Sequence, residues 1–257
     1  MSTTPATSRW LSGYKPNPRA ALRLFCFPYA GGAANIFHSW ASSLPSSIEV
    51  YPVQLPGRGN RLPEPAFTGL ELLVETAARE LLPYFDKPFA FFGHSMGAII
   101  SFELAHRLRL EQRSEPVHLF VSGRHAPQRP EAETPTYNLP EKDFLDELRR
   151  LKGTPAEVLE HEELMQLMLP LLRADFELIQ TYGYAARPPL DCPITAFGGI
   201  EDTEVSRECL EAWSAMTTGA FKLRMLPGDH FFLNTARPLF LQTLARDLQQ
   251  VAGREHA

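Results

Sequence analysis

A serine flanked by glycines is the first group in this chain whose spacing suggests chemistry. The segment Gly93-His94-Ser95-Met96-Gly97 matches the pattern G-x-S-x-G, which residue frequencies alone would produce in about one chain of this length in ten. Its context is more specific, because a wholly apolar segment (89–92) precedes it and a helix-forming composition (98–110) follows it. A serine at a tight strand-to-helix turn projects its hydroxyl out of the sheet. We therefore predict that Ser95 is a nucleophile, the alternative being a coincidental turn with a solvated serine.

A serine hydroxyl needs a base to remove its proton, so a histidine must lie within hydrogen-bond reach. His230 is the best candidate, because it follows the last predicted strand (221–226) and the turn at Pro227-Gly228. The other histidines lie away from strand ends or on predicted helices. His94 is inside the turn itself, where packing or a local hydrogen bond is the expected role.

The base in turn needs a carboxylate that orients its ring. The preceding predicted strand (194–198) leads into Glu201 and Asp202. We prefer Asp202, because adjacent residues of a loop do not both point inward and aspartate is the commoner acid in this role. Glu201 stays open as the alternative, and Asp229 is interpreted as a turn residue.

Two backbone N–H groups are needed to stabilise the oxyanion of an acyl-transfer reaction. One is predicted at Met96, directly after the nucleophile. The other is predicted at Ala30, in the loop Tyr29-Ala30-Gly31-Gly32 that follows the first predicted strand. The two glycines also fit a simple tight turn, and both roles are compatible.

These residues lie in an alternation of strands and helices, which predicts an α/β protein with a mostly parallel sheet. The predicted strands are residues 22–29, 48–53, 89–92, 117–122, 194–198 and 221–226, and the helices are 37–44, 69–85, 98–110, 206–216 and 236–251. We expect one domain over residues 1–257.

A block without strand character interrupts this alternation. Residues 131–180 instead indicate two or three helices, with apolar residues at helical spacing: Leu164, Leu167, Met168, Leu171 and Leu172. We interpret a helical insertion at about 131–185 as a lid over the site, the alternative being an inert surface decoration.

Composition excludes several classes of protein. The chain has 257 residues, 44% of them hydrophobic, and a net charge of −5, which argues against a fibrous or disordered chain and against non-specific nucleic-acid binding. Its three cysteines cannot form a complete disulfide framework and lie in no metal-binding pattern. With no signal-like or membrane-spanning segment, we expect a cytoplasmic protein.

Four blocks together resemble the discrete type II thioesterases that accompany polyketide synthases and non-ribosomal peptide synthetases. The blocks are Phe27-Pro28-Tyr29-Ala30-Gly31-Gly32, Leu55-Pro56-Gly57-Arg58-Gly59-Asn60-Arg61, Phe91-Phe92-Gly93-His94-Ser95-Met96-Gly97-Ala98 and Gly228-Asp229-His230-Phe231-Phe232-Leu233. They occur in the family's order, and the similarity runs from about residue 22 to about residue 251. The pattern GGxxDxxV, matched from Gly198 to Val205, adds support for Asp202.

The resemblance implies an α/β-hydrolase fold with Ser95, Asp202 and His230 as a catalytic triad and the Ala30 and Met96 N–H groups as the oxyanion hole. It implies hydrolysis of acyl groups stalled on the phosphopantetheine arm of acyl or peptidyl carrier domains. No metal or other cofactor is implied, and we expect a monomer. Arg58 and Arg61 are candidates to contact the phosphate of the arm, the alternative being salt bridges that anchor their loop.

Three other functions stay open from the sequence. A soluble carboxylesterase would use the same triad on oxygen esters, and a non-catalytic protein of this fold could bind an acyl ligand or a partner. A thioesterase excised from a synthetase terminus is a third, which Met1 disfavours.

Charge is uneven along the chain. Residues 131–180 contain 12 acidic and 5 basic residues, which leaves the remainder slightly basic. Because carrier domains are usually acidic, we expect them to dock on the body and away from the insertion.

Overall fold

The computed structural model describes residues 8–111, 113–129, 134–154 and 156–254. A parallel sheet of six strands in the order β2-β1-β3-β4-β5-β6 forms its centre. The strands are β1 (Leu22–Phe27), β2 (Ile48–Pro52), β3 (Phe89–His94), β4 (His118–Ser122), β5 (Ile194–Gly199) and β6 (Phe221–Leu226). A parallel sheet flanked by helices is the architecture that the sequence predicts, so the predicted α/β fold class is confirmed.

The strand order brings the predicted site together. The chain adds β2 on one side of β1 and then returns to place β3 on the other side, so the connections reverse direction at β1. Ligands of open α/β sheets bind at such a reversal, beyond the carboxyl ends of the strands. The loop after β1 carries Ala30 and the turn after β3 carries Ser95, so both lie at this edge.

Helices cover both faces of the sheet. They are α1 (Leu70–Leu81), α2 (Met96–Leu110), α3 (Glu141–Leu151), α4 (Ala156–Leu159), α5 (Glu162–Gln180), α6 (Arg207–Glu211), α7 (Phe232–Thr235) and α8 (Arg237–Arg254). Consecutive residues of a strand point to opposite faces, so Phe91 packs with α1 and α2 while Phe92 packs with Trp40 and α8. This double burial explains why residues 89–92 of β3 are all apolar rather than alternating.

Several predicted helices are shorter in the structure. Residues 37–44 form two short 3-10 turns, Ala34–Phe37 and Trp40–Ser42, instead of one α-helix. Helix α1 ends at Leu81 and continues as a 3-10 turn, Leu82–Tyr84, because Pro83 has no backbone N–H to continue the α-helical hydrogen bonds. Helix α6 likewise ends at Glu211 and continues as a 3-10 turn.

The helical insertion consists of α3, α4 and α5. Its predicted start at residue 131 lies outside the described residues, since 130–133 are not described. The three helices pack around a small core of their own, made of Phe144, Leu148, Leu159, Met165, Leu169 and Leu172.

The apolar stripe that the spacing indicates on α5 is only partly buried. Leu164 and Leu167 are 42% and 53% exposed, whereas Met165 and Leu169 are buried. The first half of α5 has apolar residues on more than one side, so spacing alone allows two inward faces. Contact with α3 and α4 selects the face that contains Met165 and Leu169.

Within the described ranges, no helix combines the length and the apolar character that crossing a lipid bilayer requires. The three cysteines are free thiols; Cys26 and Cys192 are buried, and burial raises the pKa of each.

Acid is expected to destabilise the fold through His106, which lies in α2 and is 4% exposed. Burial, with smaller contributions from Arg187 and Arg109, lowers its pKa from 6.5 to about 3. Below pH 6.5 the unfolded chain therefore binds a proton that the folded chain does not, so stability falls as the pH falls toward 3.

His106→Leu removes this proton uptake. We expect the free energy of unfolding to fall less steeply between pH 6.5 and 4.5 in this variant, by about 1.4 kcal/mol per pH unit. Urea unfolding at a series of pH values measures both slopes. If the free energy of unfolding fell with pH equally steeply in the variant and the wild type, the low pKa assigned to His106 would be wrong.

Candidate active site

Ser95 lies in a strained turn between β3 and α2. Its φ is +51°, in the left-handed region, a conformation that costs a non-glycine residue about 1–3 kcal/mol. The flanking glycines make this turn possible. A Cβ on Gly93 would lie 2.0 Å from the carbonyl oxygen of Gly97, and one on Gly97 would lie 2.2 Å from the carbonyl oxygen of Phe27. The G-x-S-x-G pattern therefore has a steric basis here.

His230 and Asp202 form a hydrogen-bonded pair at the neighbouring strand ends. His230 Nδ1 lies 2.9 Å from Asp202 Oδ2, and the Asp202 side chain is fully buried. The other carboxylate oxygen accepts hydrogen bonds from the backbone N–H groups of Glu204 and Val205, at 2.8 and 3.1 Å. With Nδ1–H donating to the carboxylate, Nε2 is the ring nitrogen left to accept a proton.

Of the two carboxylates that the sequence left open, Asp202 contacts the imidazole, whereas Glu201 is exposed. Asp229, the third carboxylate in the region, accepts a hydrogen bond from the backbone N–H of Phe231 at 2.9 Å. That is a local turn contact, as the sequence indicates.

Ser95 and His230 line one cavity of about 520 Å³, within the range of small-molecule sites. Tyr29 and Ala30 also line it, and apolar residues of the insertion form part of its wall: Leu148, Leu151, Leu172, Phe176 and Ile179. The helical insertion therefore contributes an apolar surface to the cavity that Ser95 lines.

The loop after β1 forms a tight turn beside Ser95. The Gly32 N–H donates to the Tyr29 carbonyl at 2.9 Å, and Gly31 has a φ of +74°, which favours glycine. Ala30 faces the same cavity as Ser95. Met96 is the first residue of α2, where backbone N–H groups have no acceptor within the helix.

The structure contradicts the expectation that Arg58 and Arg61 face a phosphate. Both are buried, at 3% and 5% exposure. Arg58 binds Asp175 of α5 through two hydrogen bonds, and Arg61 binds Glu64 and the carbonyl of Gln54. They anchor their loop, the alternative that the sequence left open.

His94 packs directly behind His230. It is fully buried, its Nδ1 lies 2.9 Å from Ser122 Oγ, and its ring centroid lies 5.1 Å from that of His230. Burial, reinforced by the nearby His230, lowers the pKa of His94 well below 6.5. A neutral ring at this place adds no positive charge beside His230.

Sequence reasoning missed Asp175. Its buried carboxylate contacts both Arg58 and the turn that holds Ala30. The available signal was a carboxylate among the apolar residues of α5, but its partner lies 117 residues away in the sequence.

Comparisons with known proteins show what the chain is similar to. A family model described as a thioesterase domain matches residues 22–249. The chain is 47% identical over 251 residues to the gramicidin S biosynthesis protein GrsT of Aneurinibacillus migulanus, with 98% of each chain covered. The RedJ thioesterase from the prodiginine pathway of Streptomyces coelicolor superposes with a TM-score of 0.84 at 41% identity, covering 90% of this chain and 92% of that one. The type II thioesterase BorB from the borrelidin cluster gives 0.85 at 36% identity, covering 94% and 98%.

Proposed function

The chain belongs to the thioesterase domain family, and on that basis we propose that it hydrolyses acyl thioesters carried by acyl or peptidyl carrier domains, with Ser95, His230 and Asp202 as its triad. The observation that carries the proposal is that Ser95 and His230, whose imidazole contacts Asp202, line the same cavity. GrsT and RedJ are named for peptide and prodiginine biosynthesis and BorB is a type II thioesterase. Such relatives favour removal of stalled acyl groups in a biosynthetic assembly line, in the cytoplasm.

In the proposed reaction, His230 Nε2 takes the proton of Ser95 as Oγ attacks the thioester carbonyl. The N–H groups of Ala30 and Met96 stabilise the resulting oxyanion. The C–S bond then breaks, and the sulfur leaves with the proton from His230. Because a thiol has a pKa of about 8.5, it departs readily. His230 next activates a water molecule that cleaves the acyl-serine ester and releases the free acid.

The Asp202–His230 pair matters because the proposed reaction forms an imidazolium at His230. Asp202 stabilises that charge, and its two backbone hydrogen bonds prevent it from turning away. His94, kept neutral by burial, does not oppose the charge on His230.

We propose that the helical insertion acts as a lid that selects the acyl group. Phe176, which is partly buried and faces the cavity, packs edge-on against Phe144. Phe176→Ala should lengthen the chamber and raise the ratio of kcat/KM for decanoyl over butyryl thioesters by about tenfold or more, since a few methylenes in an apolar pocket account for such factors. Equal ratios for the two proteins would argue against selection by this wall.

The proposed function is tested with one acyl group on two kinds of substrate. Release of the free acid is measured from a phosphopantetheinylated carrier protein and from simple oxygen esters of the same acid. We expect higher kcat/KM on the carrier thioester. A preference for the oxygen esters would favour a carboxylesterase, and binding without turnover of either would favour an acyl-binding protein.

A further inference from the structure

A buried ion pair joins the helical insertion to the turn that contains Ala30. Asp175 of α5 and Arg58 are 2% and 4% exposed at their side chains. Asp175 Oδ1 accepts from Arg58 Nη2 at 2.7 Å, and Oδ2 accepts from Arg58 Nη1 at 2.8 Å. This is a two-point contact between a guanidinium and a carboxylate, which fixes the orientation of both groups.

The pair also binds the turn at two places. Asp175 Oδ2 accepts the backbone N–H of Gly31 at 2.7 Å, and Arg58 Nη1 donates to the carbonyl of Gly32 at 3.2 Å. Arg58 itself is held through Nε, which donates to the carbonyl of Pro56 at 3.2 Å. One backbone carbonyl and one backbone N–H of the turn are therefore held by charged side chains.

These contacts restrict the direction of the Ala30 N–H. The Gly32-to-Tyr29 hydrogen bond fixes the peptide before Ala30, and Asp175 fixes the peptide after it. Between these two fixed peptides, only the φ and ψ torsions of Ala30 can rotate readily. Leu172, one turn of α5 before Asp175, closes the turn from outside, since a Cβ on Gly31 would come within 2.7 Å of its side chain.

A buried ion pair is weak evidence of a stabilising role, because the loss of hydration of two charges offsets most of their attraction. The contacts of this pair are concentrated on one functional turn. From this we infer that Asp175 and Arg58 are positioning residues for the oxyanion hole and act through the Ala30 N–H. This inference rests on the proposed function of the site.

A positioning role predicts an effect on the transition state with little effect on the ground state. Loss of one oxyanion donor costs about 10²–10³-fold in kcat, so a misdirected donor should cost about 10–100-fold. We expect Asp175→Asn, which keeps the shape but removes the charge, to lower kcat on a free acyl thioester by this factor while KM changes less than about threefold.

The affinity for an inhibitor is a second measurement, and it separates a positioning role from a general loosening of the fold. A trifluoromethyl ketone that mimics the acyl group forms a tetrahedral oxyanion on a serine, so its affinity should fall by about the same factor as kcat. Asp247→Asn is the matched control, because Asp247 is also a buried carboxylate, paired with Lys222 and Arg224 between α8 and β6. It should affect thermal stability but neither kcat nor inhibitor affinity.

Arg58→Lys provides an independent variant, since lysine cannot reproduce the two-point contact. The variant that combines Asp175→Asn with Arg58→Lys should lose no more kcat than the more damaging single variant, because both substitutions act through the same ion pair. Unchanged kcat and inhibitor affinity in folded Asp175→Asn would overturn the inference, and so would failure of both single variants to fold, which would identify the pair as structural. An inactive wild type would instead refute the proposed function.

Discussion

Ser95→Ala is expected to reduce thioester hydrolysis by about 10⁴- to 10⁶-fold, the scale seen when a serine hydrolase loses its nucleophile. The variant cannot form the acyl-serine ester, and what rate persists comes from water attack helped by the oxyanion hole. Free acid released from an acylated carrier protein measures the loss.

The fold should survive this substitution. Alanine has the same Cβ as serine, so the strain of the positive φ at residue 95 is unchanged. We expect the thermal unfolding midpoint to stay within a few degrees of the wild-type value. A folded variant that retained more than about 1% of wild-type kcat would contradict the assignment of Ser95.

Asp202→Asn should have the second-largest effect, a loss of about 10⁴-fold in kcat. Asparagine can still accept the N–H groups of Glu204 and Val205, so the loop should keep its shape. Its amide nevertheless favours the wrong tautomer of His230 and carries no charge to stabilise the imidazolium. Steady-state kinetics on a free acyl thioester should show the loss in kcat with KM nearly unchanged.

The neighbouring Glu201 offers a matched control, since it is a carboxylate of the same loop that is exposed. Glu201→Gln should leave kcat within about twofold of wild type. If Glu201→Gln were the more damaging substitution, Asp202 would not be the triad acid.

Much of the architecture could be predicted because its signals are local. The apolar run before Ser95, the glycines on either side of it and the loops after each strand place the site residues at one edge of a parallel sheet. Gly93 and Gly97 show why such a pattern is informative, because backbone atoms occupy the space that a Cβ would need.

The errors come from features set by tertiary contact. The inward face of α5 depends on its packing against α3 and α4, so Leu164 and Leu167 gave a misleading periodicity. The role of Arg58 depends on Asp175, a partner that no local spacing could reveal. A charged residue in a glycine-rich loop therefore suggested a surface contact when it forms a buried pair.

The buried pair of Arg58 and Asp175 changes the interpretation of the uneven charge along the chain. Asp175 contributes to the acidity of the insertion, yet it is neutralised by Arg58 of the body. Net charge by segment thus overstates the acidity that a docking partner would meet. Arg58 and Arg61 are buried, so a carrier domain that docked on this chain would contact other residues.

The central claim, that Ser95 is the activated nucleophile at the site of carrier-bound acyl groups, is tested most directly by labelling with a fluorophosphonate. Peptide mapping should find one phosphonyl group, on Ser95, and slower labelling in the presence of acylated carrier protein than in the presence of unacylated carrier protein. Labelling at another residue with loss of hydrolysis, or labelling of Ser95 with hydrolysis retained, would contradict the account.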